Sequence, residues 1–292
     1  MKIYLQDHNN ILTDVAKELN VTRDFEEADK VVLWQDVIGF GRGIAQLARK
    51  KGKPVIVVQH GANSHIDYGP PNHYKLLADK YCVWGTRSRD ALLSYGIPAS
   101  KIVITGSTIF SHIKPKVKHN KINVVFRPAH WDIRILEENK IVAEALRNID
   151  YGLTITTKII ETIDPTGLDN VVSSHRDKPG HLEACVDILS TADLVVGIAE
   201  DGTFEMLAYA MDVPVVIPNV WKQKVFLGKA TPEMNYSIAC NITDMRHLES
   251  VIKENLDNPD KLKAERRSVA EEWAGIHIED PLQKILKVIH DA

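Results

Sequence analysis

No apolar run in this 292-residue chain approaches the about 18 residues needed to cross a membrane. A signal-peptide pattern is also missing, because Lys2 is followed by only Ile3-Tyr4-Leu5 before polar Gln6 to Asn10. The expected location is cytoplasmic, with peripheral attachment to the inner membrane face left open. Cysteine is scarce: Cys82, Cys185 and Cys240 lie far apart without a CxxC pair, which argues against a structural zinc site and fits a reducing compartment. These three read as small buried apolar residues. A basic excess is also lacking, since 36 Lys and Arg against 39 Asp and Glu leave a formal net charge of −3. That balance disfavours a nucleic-acid-coating role and leaves only a local basic groove open. No internal repeat or low-complexity tract is visible.

What the chain does have is 44% hydrophobic and 26% charged residues, a globular composition long enough for one large domain or two of about 100 to 150 residues. The apolar runs alternate with helical patterns. Lys2 to Leu5, Val31 to Trp34, Pro54 to Val58, Tyr81 to Trp84 and Ile102 to Thr105 predict five strands. Ile11 to Leu19, a stretch opened by the glycine turn Gly39 to Gly43, and Arg87 to Tyr95 predict helices between them. Ser111 to Lys121 reads as a basic linker. A second series then begins with strand Ile122 to Phe126, helix Ile133 to Arg147, strand Leu153 to Thr157, a short strand at Val171-Val172 and helix His181 to Leu189.

The stretch Ala192 to Pro218 completes that series with strand Leu194 to Ile198, a turn at Glu200-Asp201-Gly202, a helix N-capped by Asp201, and strand Val213 to Ile217. After Pro218 the pattern is mostly helical, over Met245 to Leu256, Lys261 to Trp273 and Leu282 to Ile289. The expectation is an α/β protein with two Rossmann-like, doubly wound parallel-sheet domains facing a cleft. The expected boundaries are residues 1–114 for an N-terminal domain, 115–275 for a C-terminal domain and 276–292 for a C-terminal helix able to pack back on the first.

Strand ends gather the chemistry, because ligands of open parallel sheets bind beyond the carboxyl ends of the strands. Gly39 to Gly43, with Gly41 at its centre, reads either as a plain helix entry or as ligand contact through N–H groups. It lacks the G-x-G-x-x-G spacing and an acid about 20 residues on, which disfavours a dinucleotide fold. His60, emerging from a buried strand beside Gly61, is a candidate general base, with a loop-bonded histidine as the alternative. His65 and Asp67 in the following loop are candidates to orient or replace it, and Ser107 ends the fifth strand. Arg127 and His130 offer donors to a diphosphate or simply face solvent. Gly202 and Thr203 offer N–H groups and a hydroxyl at a helix start, where Glu200 and Asp201 would repel phosphate unless they point away or bind sugar hydroxyls.

On these residues the chain resembles the GT-B glycosyltransferases: two α/β halves, His60-Gly61 after a strand in the first, and an acid-Gly-Thr turn, helix and VPVVIP strand in the second. Within that fold it is similar to the CDP-glycerol glycerophosphotransferases of teichoic acid synthesis and, more loosely, to the non-hydrolysing UDP-N-acetylglucosamine 2-epimerases, a rhythm carried by Ala78 to Ser107. The resemblance implies that His60 is the base on an acceptor hydroxyl. It also implies that Arg127 or His130 lies near donor phosphates and that Gly202-Thr203 lies beneath them. No metal and no cofactor is expected beyond a nucleotide-activated donor of UDP or CDP type. One departure stands out: the acid expected seven positions before the strand proline is Leu207, and Glu205, two residues earlier, is about 200° away around a helix. The expected function is transfer of a sugar or polyol phosphate from that donor to an acceptor hydroxyl. Sugar-nucleotide epimerisation, non-catalytic nucleotide-sugar binding and DNA glycosylation stand as alternatives.

Overall fold

The computed structural model describes residues 1–6, 12–36, 39–61, 76–118, 120–127, 136–149, 154–159, 170–173, 181–197, 202–219, 225–226, 229–230 and 239–292. Two compact units divide the chain: Met1–Ser111 with Glu271–Ala292, and His112–Ala270.

Unit 1 runs β1 (Ile3–Gln6), α1 (Thr13–Lys17), β2 (Val21–Thr22), β3 (Lys30–Leu33), α2 (Gly39–Lys50), β4 (Val55–Val58), β5 (Lys80–Val83), α3 (Thr86–Ser94) and β6 (Ile102–Ile104). The sheet order is β2-β1-β3-β4-β5-β6, all parallel. The direction of winding therefore reverses between β1 and β3. Strand periodicity sorts the core. Val31, Leu33, Val55, Val57, Tyr81 and Val83 face one way with Ala45, Ala48 and Leu92 of the helices, while Ile3, Val32, Ile56, Val58 and Cys82 belong to a second cluster.

Unit 2 runs β7 (Asn123–Phe126), α4 (Leu136–Arg147), β8 (Thr154–Ile159), β9 (Asn170–Ser173), α5 (His181–Ser190), β10 (Leu194–Val196), α6 (Thr203–Ala210) and β11 (Val215–Pro218). After these come the short pair β12 (Val225–Phe226) and β13 (Lys229–Ala230), then β14 (Asn241–Thr243), α7 (Leu248–Asp257) and α8 (Lys263–Val269). Its main sheet, β14-β11-β10-β7-β8-β9, is parallel throughout, and β12–β13 is antiparallel. This is the doubly wound dinucleotide-fold order, reversing between β7 and β10. Val124, Phe126, Leu194, Val196 and Val216 meet Val142, Ala143 and Leu146 of α4 and Leu248 and Ile252 of α7 in its core.

The final helix, α9 (Pro281–Asp291), belongs to unit 1. Pro281 sits at its first turn, and Asp280 caps it by accepting from the Gln283 N–H at 3.2 Å. Its buried stripe, Ile285, Leu286 and Ile289, completes the second core cluster of that unit. Each of the three contributes about 1.5–3 kcal/mol of burial before chain entropy is set against it.

Four local readings change. The two-residue edge strand β2 makes six strands in unit 1 rather than five. Gly39 to Gly43 form the first turn of α2 itself, not a turn preceding it. Gly202, not Asp201, is the N-cap residue of α6, and Asp201 lies outside the described residues. The region after Pro218 contains strands, and the expected helix Lys261 to Trp273 ends at Val269 and continues as a π-helical turn over Ala270–Ala274.

Candidate functional site

In unit 2 the polar groups follow the two strands that flank the reversal point, one directly after β7 and one on α6 after β10. Arg127 follows β7, and its N–H donates to the Val196 carbonyl at 3.0 Å, prolonging the β7–β10 ladder by one residue. From there its Nη1 donates to both carboxylate oxygens of Glu205, at 3.1 and 3.2 Å. Glu205 is 0% exposed and the Arg127 side chain 13%. Such a carboxylate survives burial only when paired, and its place in the first turn of α6 adds the favourable end of the helix dipole.

Two glycines make room for it. A Cβ on Gly202 would stand 2.1 Å from Glu205 Oε2 and 3.0 Å from Arg127 Nη1, and one on Gly197 would stand 2.7 Å from Glu205 Oε1. Gly202 has ordinary extended angles (φ −71°, ψ 151°), so space rather than backbone freedom calls for glycine there. Thr203 opens α6, half-buried, and the helix start carries no side-chain cap. His130, Glu200 and Asp201 lie outside the described residues.

In unit 1, β4 delivers Gln59-His60-Gly61. Gln59 is buried and fixed on every side: its Oε1 accepts from the Trp84 N–H at 2.8 Å, its Nε2 donates to the Gly61 carbonyl at 2.8 Å, and its carbonyl accepts from Trp84 Nε1 at 2.8 Å. His60 is half-buried, and its ring meets that of Trp34, at the end of β3, edge to face at 4.3 Å and 79°. Just beyond Trp34, fully buried Asp36 accepts through Oδ2 from the Leu77 N–H (2.5 Å), the Ala78 N–H (2.8 Å) and the Tyr81 hydroxyl (2.8 Å). Burial, reinforced by the Asp36 charge, pushes the Tyr81 phenol well above its ordinary range, and burial pushes the Cys82 thiol up to about 12.

The other residues expected on this side serve packing. A Cβ on Gly41 would lie 2.4 Å from the Gln35 carbonyl, so this glycine lets α2 close on the end of β3. Ser107 is buried, and its hydroxyl accepts from the Ile109 N–H at 3.3 Å, starting a 3-10 turn over Thr108–His112. The ends of β5 and β6 are covered by the returning chain. A Cβ on Gly85 would stand 2.1 Å from the Glu272 carbonyl and one on Gly275 2.0 Å from that of Trp84, while Gly106 (φ 74°) has Ile278 within 3.2 Å. Arg87 lies over the Trp273 ring at 5.2 Å. His65 and Asp67 lie outside the described residues.

Trp34, Asp36 and the Arg127–Glu205 pairing escaped the sequence. One signal existed: Glu205 is the single charge in TFEMLAYA, a helix buried from Phe204 to Tyr209, and a lone charge inside such a helix needs a partner. Among the described residues no group of three or more His, Cys, Asp or Glu is arranged to hold a metal ion. No described helix is long and apolar enough to span a membrane.

With this geometry in place, comparison with solved structures is informative about fold. A variant of the wall teichoic acid polymerase TagF soaked with CDPG is 12% identical, with a TM-score of 0.64 over 99% of this chain and 88% of that one. The UDP-GlcNAc 2-epimerase of Neisseria meningitidis bound to UDP-GlcNAc is 14% identical, with a TM-score of 0.62 over 97% and 80%. Anabaena HepE in complex with UDP and glucose is 12% identical, with a TM-score of 0.59 over 100% and 99%. The chain has the two parallel-sheet units of the GT-B enzymes. No protein-family model and no curated protein sequence matches it.

Proposed function

We propose that this protein is a GT-B type transferase that moves a sugar or a polyol phosphate from a UDP- or CDP-activated donor to an acceptor hydroxyl. The observation that carries the reading is Arg127 at the strand-order reversal of unit 2, beside an α6 start whose N-cap is a glycine. Ligands of doubly wound sheets bind at that point, and helix-start N–H groups favour phosphate. Three GT-B structures similar in fold were solved with UDP-GlcNAc, UDP and glucose, or CDPG, which supports the donor class.

In this reading unit 2 holds the donor. Arg127 and His130 meet its phosphates, Gly202 and Thr203 lie beneath them, and Glu200 or Asp201 holds the ribose in place of the acid missing at Leu207. His60, with Gly61 and His65 beside it and Asp67 orienting it, takes the proton from the acceptor hydroxyl. The freed oxygen bonds to the donor's reacting centre as the bond to the nucleotide phosphate breaks, and the helix N–H groups and cations stabilise the departing phosphate. Because Gly41 and Ser107 are engaged in packing, the acceptor-side role rests on His60 and its neighbours.

A thermal-shift series with UDP, CDP, GDP, dTDP and CMP tests the donor assignment, since a ligand that binds only the folded protein raises Tm. A rise with UDP or CDP is expected; no rise with any of the five contradicts the reading. The likeness to the Neisseria epimerase favours a second reading, epimerisation of the sugar nucleotide. It predicts conversion of the donor with no acceptor present.

A further inference from the structure

We infer that Glu205 is a positioning residue for nucleotide binding. It acts through Arg127, by holding Nη1 so that the rest of the guanidinium edge is presented to the donor's phosphates. The inference rests on the donor reading above and deepens it.

Three observations support it. Both oxygens of the Glu205 carboxylate engage the same nitrogen, Nη1, so the pair fixes one end of the guanidinium and no more. Among the described residues Glu205 is the only partner of that side chain. The pocket for the carboxylate is enforced from both sides, since a side chain at Gly197 or at Gly202 would collide with it. Stability alone does not account for such a construction, because replacing a buried ion pair by apolar residues is often neutral or favourable. Orientation does account for it. Arginine recognises phosphate through a planar fork, and a fork pinned at one nitrogen loses less conformational freedom when the remaining donors engage an anion. The glutamate also fits the sequence anomaly: it stands two residues from the position where an acid for ribose was expected, and it faces a cation instead of a sugar.

The test is a double-mutant cycle read by calorimetric titration with UDP and CDP on wild type, Glu205→Gln, Arg127→Gln and the double variant, each first checked for cooperative thermal unfolding. If Glu205→Gln does not fold, Glu205→Asp, which keeps the charge and withdraws it by one methylene, takes its place. The inference predicts that the Glu205 change weakens nucleotide binding about tenfold in the wild-type background and has no further effect once Arg127 is gone. Gly202→Ala, which displaces the carboxylate while leaving both charged residues in the sequence, should weaken binding similarly. Equal weakening in both backgrounds, or a loss of Tm with unchanged affinity, overturns the positioning role and leaves the donor reading intact. A wild-type protein that binds neither nucleotide overturns both.

Discussion

The two sheets solve the same problem differently at their carboxyl ends. In unit 1 the polar groups beyond β3, β4 and β5 are tied largely to main chain: Gln59 bridges the ends of β4 and β5, and Asp36 holds the approach to β5 through two backbone N–H groups and a tyrosine. In unit 2 a charged side chain at the end of β7 is tied to a charged side chain on α6. The first arrangement fixes backbone and leaves an imidazole, His60, against an aromatic ring. The second fixes a cation. One edge therefore holds an imidazole beside fixed main chain and the other holds a fixed cation; the proposed transfer assigns the proton acceptor to the first and the phosphate-binding fork to the second.

The sharpest way to break this contrast is at His60. Alanine there should reduce turnover by about 10²–10⁴-fold, the weight of a general base, while nucleotide binding survives. Unchanged turnover in a steady-state assay removes the base from unit 1. Next in size is Arg127→Ala, which leaves the Glu205 carboxylate buried without its cation and should cost about 3–5 kcal/mol in chemical denaturation. A loss below about 1 kcal/mol would show that water reaches Glu205 and that the pair is not the closed unit described here.

How much of this was readable beforehand follows from the kind of interaction involved. Parallel strands buried on both faces announce themselves as short apolar runs such as VIVV and LVV, so most of both sheets was legible, while the edge strand β14, in a region expected to be mostly helical, was not. The edge strand β2 has only Val21 and Thr22, too short for any period to show. Gly41 was visible as a glycine, but its reason, the Gln35 carbonyl 2.4 Å from where a Cβ would stand, is a contact made by folding. The same holds for Arg127 and Glu205, which are 78 residues apart and meet only because β7 and β10 become neighbours. Leu207 drew attention to a missing acid, and helix geometry set Glu205 apart from that position; its pairing with Arg127 was not in the pattern.

Smaller effects sharpen the comparison further. Asp36→Ala should destabilise unit 1 by on the order of 3 kcal/mol, since the buried Leu77 N–H and Tyr81 hydroxyl lose their acceptor and the Ala78 N–H keeps only its 3.1 Å bond to the Tyr81 hydroxyl, whereas Tyr81→Phe, which removes one of the three donors to Asp36 and leaves the Ala78 N–H its carboxylate, should cost about 1 kcal/mol. Equal losses would mean that the carboxylate acts through Tyr81 alone. The same tyrosine sets a pH signature. Its folded pKa lies above the unfolded one, so its contribution is intact below about pH 10 and is lost as pH rises further, because the unfolded chain releases its proton first. Cys82, raised from 9.0 to about 12, adds a decline of the same sign over that window. Alkaline denaturation curves for Tyr81→Phe should therefore be flatter above pH 10 than those of the wild type, and superimposable curves would contradict the burial of the phenol. At the bottom of the scale, the exposed i,i+4 pair Glu249–Lys253 on α7 should contribute no more than about 0.5 kcal/mol.

Calorimetric titration of UDP and CDP into wild type, His60→Ala and Arg127→Lys tests the division between the two edges most directly. The account predicts saturable binding to the wild type, the same affinity in His60→Ala, and affinity lowered at least about tenfold in Arg127→Lys, where the planar fork is lost. Binding abolished by the His60 change and untouched by the Arg127 change would place the nucleotide at the other sheet and contradict the account.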